Sequence, residues 1–317
     1  MIRHSQTATG ILCGIGAGAL WGLVFLAPEL THGFSPLHLT ISRYLFYGLL
    51  SAALLIPRWG IVLQRVTKRE WMGIAGLALV GNILYYTLLS TAVQMGGITM
   101  TSLVIGFLPV TITLVGSRDQ DAIPLRKLSL SLILCISGVL CIGWQTLATP
   151  ASSSSSNPAT GLVCAIGALI AWTWYAVDNS RWLVRLQQIT AHDWNLLVGI
   201  MTGALTTLII PAAILLHPES HSINDWLRLS GVAAGLAFLA SILGNALWNK
   251  MSQLLPLTLV GQMILFETLF ALIYGFIWEK RWPTLLEAMA FTLVSLSVIS
   301  CLKAHQKPTV PVTHSSN

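Results

Sequence analysis

Charge is what this sequence has least of. Asp, Glu, Lys and Arg together make up 9% of its 317 residues, against roughly 25% in ordinary soluble domains. Too few charges are present to clothe a water-facing surface, which excludes a soluble globular protein. The connections between apolar runs are short, so the chain also lacks the separate soluble domain that a signalling or assembly role normally requires. Catalytic signatures are missing too. Neither HExxH nor GxSxG occurs, and the eight histidines (4, 32, 38, 192, 217, 221, 305 and 314) fall in tails, loops or the ends of apolar runs. No histidine therefore stands at mid-depth to hold haem or a catalytic metal, which argues against an intramembrane enzyme or haem protein. HPESH (217–221) spaces two histidines four apart, but in a loop, where it is a weak metal signal. The five cysteines (Cys13, Cys135, Cys141, Cys164 and Cys301) are odd in number, lie in apolar runs and lack metal-ligand spacing, so they read as small packing residues. The expectation is no cofactor, no metal and no enzymatic activity.

What is present is length of apolar run. Mean hydropathy is +0.75, and runs near 10–28, 37–57, 71–92, 98–117, 125–145, 160–180, 194–216, 228–248, 255–277 and 284–302 each approach the ~20 residues that cross a bilayer as a helix. In lipid each backbone polar group must be satisfied within its own segment, so these are helices and not open strands. The fold class expected is an all-α polytopic membrane protein with ten transmembrane helices. The first run lacks a convincing cleavage site and reads as a retained helix. The net charge of +6 reflects topology, not a nucleic-acid partner. Thirteen of the 17 Lys and Arg residues fall in the tails and the even-to-odd loops, while the alternate loops hold only Arg228, Lys280 and Arg281. By the positive-inside rule both termini face the cytoplasm, as an even helix count also requires. The expected location is the plasma (inner) membrane, with the lipid bilayer and a small-molecule substrate as partners.

The chain divides in two. TLATPASSSSSNPAT (146–160) carries no charge and is rich in Ser and Pro, the composition of a flexible external linker. The boundaries read as a first unit at 1–145, a linker at 146–159, a second unit at 160–303 and a tail at 304–317. Shifting by 151 residues lays TGILCGIGAGALW (9–21) over TGLVCAIGALIAW (160–172) with seven of 13 positions identical, Trp21 and Trp172 among them. A shift of 159 pairs Gly116 with Gly275 and Pro124 with Pro283. Five helices per half is an odd number, so the second half enters the membrane inverted. Inverted repeats are an architecture of secondary transporters, whose substrate site lies near mid-membrane between the repeats.

Four stretches carry a family resemblance. GALWGLVFLAPEL (18–30), PLHLTISRYLFYGLLSAALL (36–55), ALIAWTWYAVDNSRWL (168–183) and GNALWNKMSQLLPLTLVGQMILFETLFALIYGFIWEKRWP (244–283) resemble, in order, helices one, two, six and eight to nine of the EamA branch of the drug/metabolite transporter superfamily. The resemblance covers nearly the whole chain and implies a ten-helix transporter, often an exporter of amino acids, other metabolites or drugs. One departure stands out. The family's first repeat often carries a Glu before the fourth-helix Pro, where this chain has Leu108; the 159-residue shift pairs Leu108 with Glu267. The second half therefore holds an acid that the first half lacks.

Ionisable groups deep enough in the apolar runs to lie inside the hydrocarbon are few: Glu267 and Arg43 are the clear ones, with Asp178 near the end of its run. Such groups are costly in hydrocarbon and usually face a cavity or one another. Glu267 either lines a central cavity, taking a proton or pairing with a cationic substrate group, or pairs with Arg43 and fixes packing. Met263, Phe270, Ala271 and Tyr274 share its helical face, so the Tyr274 hydroxyl belongs to the same expected polar strip. Arg43 either clamps a carboxylate with its guanidinium fork or snorkels to the membrane surface. Trp21, Trp172 and Tyr175 are candidate pocket walls, with Tyr85, Tyr86 and Trp248, while Asn82, Asn245 and Asn249 are positioned to orient a polar ligand. Trp59, Trp71, Trp194, Trp226 and Trp282 fit an interfacial belt. Gly106 and Pro109, like Pro256, mark possible helix breaks, and Gly14, Gly16 and Gly18 mark close helix packing. The function expected is secondary transport of a small metabolite, amino-acid export first and multidrug or cationic efflux second.

Overall fold

Caps set where the helices begin. Ser35 and Pro36 start one helix, the serine oxygen accepting from the His38 amide and the proline occupying the first turn, where its missing N–H costs nothing. Thr67 with Glu70 and Ser222 with Asp225 form reciprocal capping boxes. The structure, a computed structural model, describes residues 2–31, 33–116, 125–148, 157–186, 188–216, 221–255 and 263–305. Every regular element among them is a helix. We number the α-helices α1 (Ile2–Leu30), α2 (Pro36–Leu55), α3 (Trp59–Arg65), α4 (Lys68–Gly76), α5 (Tyr85–Ile105), α6 (Leu108–Gly116), α7 (Leu125–Ala148), α8 (Pro158–Arg185), α9 (Ala191–Leu216), α10 (Ile223–Leu236), α11 (Asn245–Leu254), α12 (Leu265–Glu279) and α13 (Leu285–His305).

Six of these segments, not ten, are long and apolar enough to cross a membrane among the described residues: Gln6–Leu30, Pro36–Arg65, Lys68–Ile105, Pro158–Arg185, Ala191–Leu215 and Ile223–Ser252. Helix breaks account for part of the difference. The run expected at 98–117 is cut once, and its start is marked by a kink that falls between it and the run expected at 71–92. Gly97 adopts φ 83° and ψ 165°, a left-sided conformation open to glycine alone, and separates it from the helix before. The cut itself, at Gly106–Phe107, separates Ile105 from Leu108. Pro109 lies just beyond and cannot donate to the Ile105 carbonyl. The run expected at 255–277 is represented by α12, which begins at Leu265 after a turn at Ile264, and its earlier part with Pro256 lies outside the described residues. The linker at 149–156, Pro124 and most of HPESH lie outside them as well.

Two helices share an unusual build. Between α4 and α5 the chain runs as π-helix over Leu77–Leu84, and between α10 and α11 it does so over Ala237–Gly244, the two segments 160 residues apart (237 − 77). π segments are rare and concentrate at functional sites.

The main helix pairings all join the first half of the chain to the second: α1 with α12, α2 with α9, α5 with α8 and α7 with α13. Glycine makes these approaches possible. A Cβ on Gly48 of α2 would sit 2.8 Å from the Gly203 Cα of α9, so the two backbones touch. A Cβ on Gly18 of α1 would lie 2.5 Å from Phe266 Cβ and 2.9 Å from the Glu267 amide nitrogen, which fixes α12 against α1. Gly14 packs the same way on Met251 and Met263. Serines join the last pair, the Ser131 hydroxyl donating to the Ser297 carbonyl at 2.9 Å and Ser297 returning the bond to Ser131 at 2.8 Å.

Because α1 and α12 run parallel, with Gly14 beside Met263 and Gly22 beside Phe270, their C-terminal ends share one end of the bundle with the start of α2. There Arg281 forks onto Glu287 at 2.6 and 2.7 Å and reaches Thr99 of α5 at 3.4 Å. At the opposite end, Arg58 pairs with the buried Asp193 at 2.9 Å. The Arg58–Asp193 pair bridges the two halves, and at the other end the bridge is the Arg281–Thr99 hydrogen bond. Trp194 corrects the interfacial-belt reading: it is 1% exposed, its indole donating to Asn179 at 2.9 Å and packing on Trp182. Trp282, at 91% exposure, and Trp59 remain on the surface. Gly48→Leu is expected to force α2 from α9 at a cost of at least about 1–3 kcal/mol, read as a lowered melting temperature of the purified protein, while Gly60→Leu, with open space around it, leaves it unchanged.

Candidate functional site

A cavity of about 40 Å³ lies where the two halves meet. Trp21 and Val24 of α1, Arg43, Tyr44 and Tyr47 of α2, Asn82 of the first π segment and Tyr85 of α5 form one side. Trp172 and Tyr175 of α8, Ala240 and Ser241 of the second π segment, Asn245 of α11 and Glu267 of α12 form the other. Both π segments thus open onto it.

Its aromatic wall is a continuous stack. Tyr85 lies on Trp172 with centroids 4.8 Å apart, Trp172 lies on Tyr175 at 4.7 Å, and Trp21 meets the Trp172 edge at 6.3 Å. Glycine again makes room: a Cβ on Gly81 would fall 2.0 Å from the Tyr175 ring, and one on Gly244 would fall 2.7 Å from the Trp21 indole nitrogen. The Trp21 N–H donates to the Ala240 carbonyl at 3.0 Å, pinning α1 to the second π segment. Trp248 backs Trp21 at 4.9 Å and does not line the cavity.

Arg43 and Glu267 are the two charges. Arg43 is 7% exposed, which overturns the reading that it snorkels to the membrane surface. Its guanidinium carbon stands 4.2 Å from the centroid of the Tyr86 ring and 5.2 Å from that of Tyr44, so ring faces supply part of the stabilisation lost with water. One side-chain nitrogen donates to Ser241 at 3.4 Å. Tyr86 is therefore the platform under Arg43 and not a wall. Glu267 is 4% exposed and sits in the first turn of α12, just after the turn at Ile264, where the helix dipole favours a negative group. Its Oε2 is buried without a hydrogen-bond partner, as is the Trp172 indole nitrogen. Among the described residues no ion pair joins Glu267 to Arg43, so the alternative in which they neutralise each other is not the arrangement found.

Amides tie the frame. Asn82 donates to Thr202 at 2.8 Å and accepts through its backbone carbonyl from the Tyr44 hydroxyl at 3.1 Å. Asn245 donates to Asn195 at 3.0 Å, and Tyr47 donates to the same Asn195 side chain at 3.1 Å. Asn249 does not line the cavity. Tyr274 is the residue the helical face misplaces. Its hydroxyl donates to the Ala19 carbonyl at 3.1 Å, its ring lies against Gly22 of α1, and it lines a different cavity. Asp178 is spent locally, accepting from Trp182 at 3.1 Å. Of the residues the sequence did not single out, Ser241 had a usable signal, lying four before Asn245 and so on the same side of a helix. Tyr44, Val24 and Ala240 had none.

The comparisons with known proteins agree with this picture. Residues 8–144 match the EamA-like transporter family. Over 319 aligned residues the chain is 29% identical to the inner membrane protein YtfF of Escherichia coli (strain K12), covering 97% of this chain and 98% of that protein. One solved crystal structure superposes with a TM-score of 0.66 at 18% identity, covering 94% of this chain and 99% of the other, a likeness of fold. The all-helical bundle, its membrane-length apolar helices and the match over the first half lead to one conclusion: this chain is an integral membrane protein that carries an EamA-like transporter family domain over residues 8–144.

Proposed function

We propose that the chain is a secondary active transporter that exports a small zwitterionic metabolite, an amino acid or close relative, by alternating access through the central cavity. The observation that carries this reading is the pair of buried, opposite and mutually unpaired charges on one cavity. A zwitterion meets both needs, its carboxylate on the Arg43 fork and its ammonium on Glu267, with the stacked aromatics flanking its side chain. In the cycle, Glu267 holds either the substrate ammonium or a proton, and the exchange between the two couples flux to the proton gradient.

The architecture proposed is ten helices in two inverted five-helix repeats, 1–145 and 160–303, joined by the 146–159 linker, with the tail at 304–317 and both termini cytoplasmic. Three features support it: the two π segments 160 residues apart, the cross-half pairing of every main helix contact, and a cavity walled from both halves. Placement in the inner membrane is supported by the location named for YtfF. The cross-half contacts at opposite ends of the bundle, Arg58 with Asp193 and Arg281 with Thr99, stand where alternating access needs contacts that break in turn. A second reading, efflux of organic cations, is favoured by the Tyr85–Trp172–Tyr175 stack beside a carboxylate. In that reading Arg43 has no direct part in binding.

Flux in proteoliposomes separates these. Glu267→Gln, which mimics the protonated carboxyl, is expected to abolish flux driven by a pH gradient and to weaken substrate counterflow with no gradient; undiminished gradient-driven flux excludes the coupling role. Arg43→Lys keeps the charge and loses the fork, and is expected to raise KM for amino acids about tenfold, the equivalent of ~1.4 kcal/mol, with little change in Tm. An unchanged KM for amino acids together with transport of lipophilic cations transfers the conclusion to cation efflux.

A further inference from the structure

A second cavity, of about 440 Å³, opens beside the C-terminal ends of α1 and α12 and is lined by Leu26, Tyr274, Ile277, Trp278 and Lys280. It is roughly ten times the size of the central one (440 against 40 Å³) and has no part in the transport chemistry above. Its walls are apolar except at one point. The Tyr274 hydroxyl is committed to the Ala19 carbonyl and its ring packs on Phe270, so that residue presents carbon. Ile277 is 70% and Trp278 44% exposed, a costly arrangement in water and an ordinary one where hydrocarbon and headgroups supply the solvent.

Lys280 is the exception, and its backbone is unusual. It caps α12 in the left-handed conformation (φ 50°, ψ 38°), and among the described residues it is the only non-glycine with positive φ. Glycine or asparagine is the usual choice for that cap, since a longer side chain pays for its Cβ there. The other charges at this end are engaged. Arg281 forks onto Glu287 and pairs with Glu279, and Glu29, one turn beyond Leu26 on α1, has a bonding partner of its own. The Lys280 ammonium is thus the charge left facing the cavity, and no carboxylate lines it.

We propose that this cavity binds an anionic phospholipid, its phosphate on Lys280, its acyl chain along Leu26 and Ile277, and Trp278 at the headgroup boundary. The chain is an integral membrane protein, so the exposed flank of this cavity meets lipid, and one cation above an apolar wall matches an anionic amphiphile in both charge and polarity. A zwitterionic lipid brings an ammonium that a lone lysine disfavours, and a free phosphate leaves the apolar wall without a partner.

Native mass spectrometry of the detergent-purified full chain, titrated with phosphatidylglycerol, phosphatidylcholine or inorganic phosphate, tests this. One phosphatidylglycerol per chain is expected to be retained, with a raised Tm that neither phosphatidylcholine nor phosphate reproduces. Lys280→Asn keeps the left-handed cap and removes the charge, and is expected to hold phosphatidylglycerol about fivefold more weakly, the factor one lysine contributes at an anionic surface. Lys280→Arg restores retention. Ile277→Glu, which leaves the cap intact and sets an acid on the wall, is expected to give the same loss and guards against a folding defect in the first variant. Equal retention of both lipids, an equal Tm shift from phosphate, or undiminished retention in Lys280→Asn and Ile277→Glu overturns the proposal.

Discussion

Two opposite charges are buried beside one cavity and do not touch. In a low-dielectric interior that is a costly state, because each ion has lost water and neither has been repaid by the other. The structure shows how it is sustained. Arg43 rests on the faces of Tyr86 and Tyr44, which attract a cation without giving it a counter-ion. Glu267 sits in the first turn of α12, where unpaired backbone amides favour a negative group. Both arrangements need close control of position, and glycine supplies it: Gly18 lets α1 touch the backbone at Glu267, and Gly48 lets α2 touch α9 and so sets the depth of Arg43. The cross-half helix pairs follow from the same need, since one charge comes from each half.

How much of this was legible in the sequence depends on how rare the signal was. Arg43 and Glu267 stood out because charges in apolar runs are few, and both line the cavity. Trp21 and Trp172 stood out because the repeat matched them, and their rings meet edge to face. Asn82, Asn245 and Tyr175 were found by residue type alone, and they too line it. Helical periodicity failed at Tyr274. It gives the face a residue shares but not the neighbour lying across that face, and here the neighbour is α1. The interfacial-belt rule failed at Trp194, where Asn179 and Trp182 of α8 cover a ring that stands near a helix end. Ser241 is small and ordinary in sequence, and only the close approach of α2 turns it into a partner for Arg43.

Helix boundaries were the weaker part of the reading. Hydropathy counts apolar residues and is blind to hydrogen bonding, so it joined what the turn at Gly106–Phe107 divides. It had no means of seeing the two π segments. Their sequences, LALVGNIL and AFLASILG, share little beyond apolar character, and the likeness emerges from backbone geometry at a matching interval.

The smallness of the central cavity carries a consequence of its own. About 40 Å³ accommodates a few water molecules, far less than an amino acid. A solute of that size therefore meets a binding-competent form only in the fraction of molecules whose walls have moved apart. Its apparent dissociation constant is the intrinsic one divided by that fraction. In the proposed transport cycle, affinity is thus set as much by the helix contacts that hold the bundle shut as by the residues that touch the solute, and the glycines at those contacts take a thermodynamic part in binding.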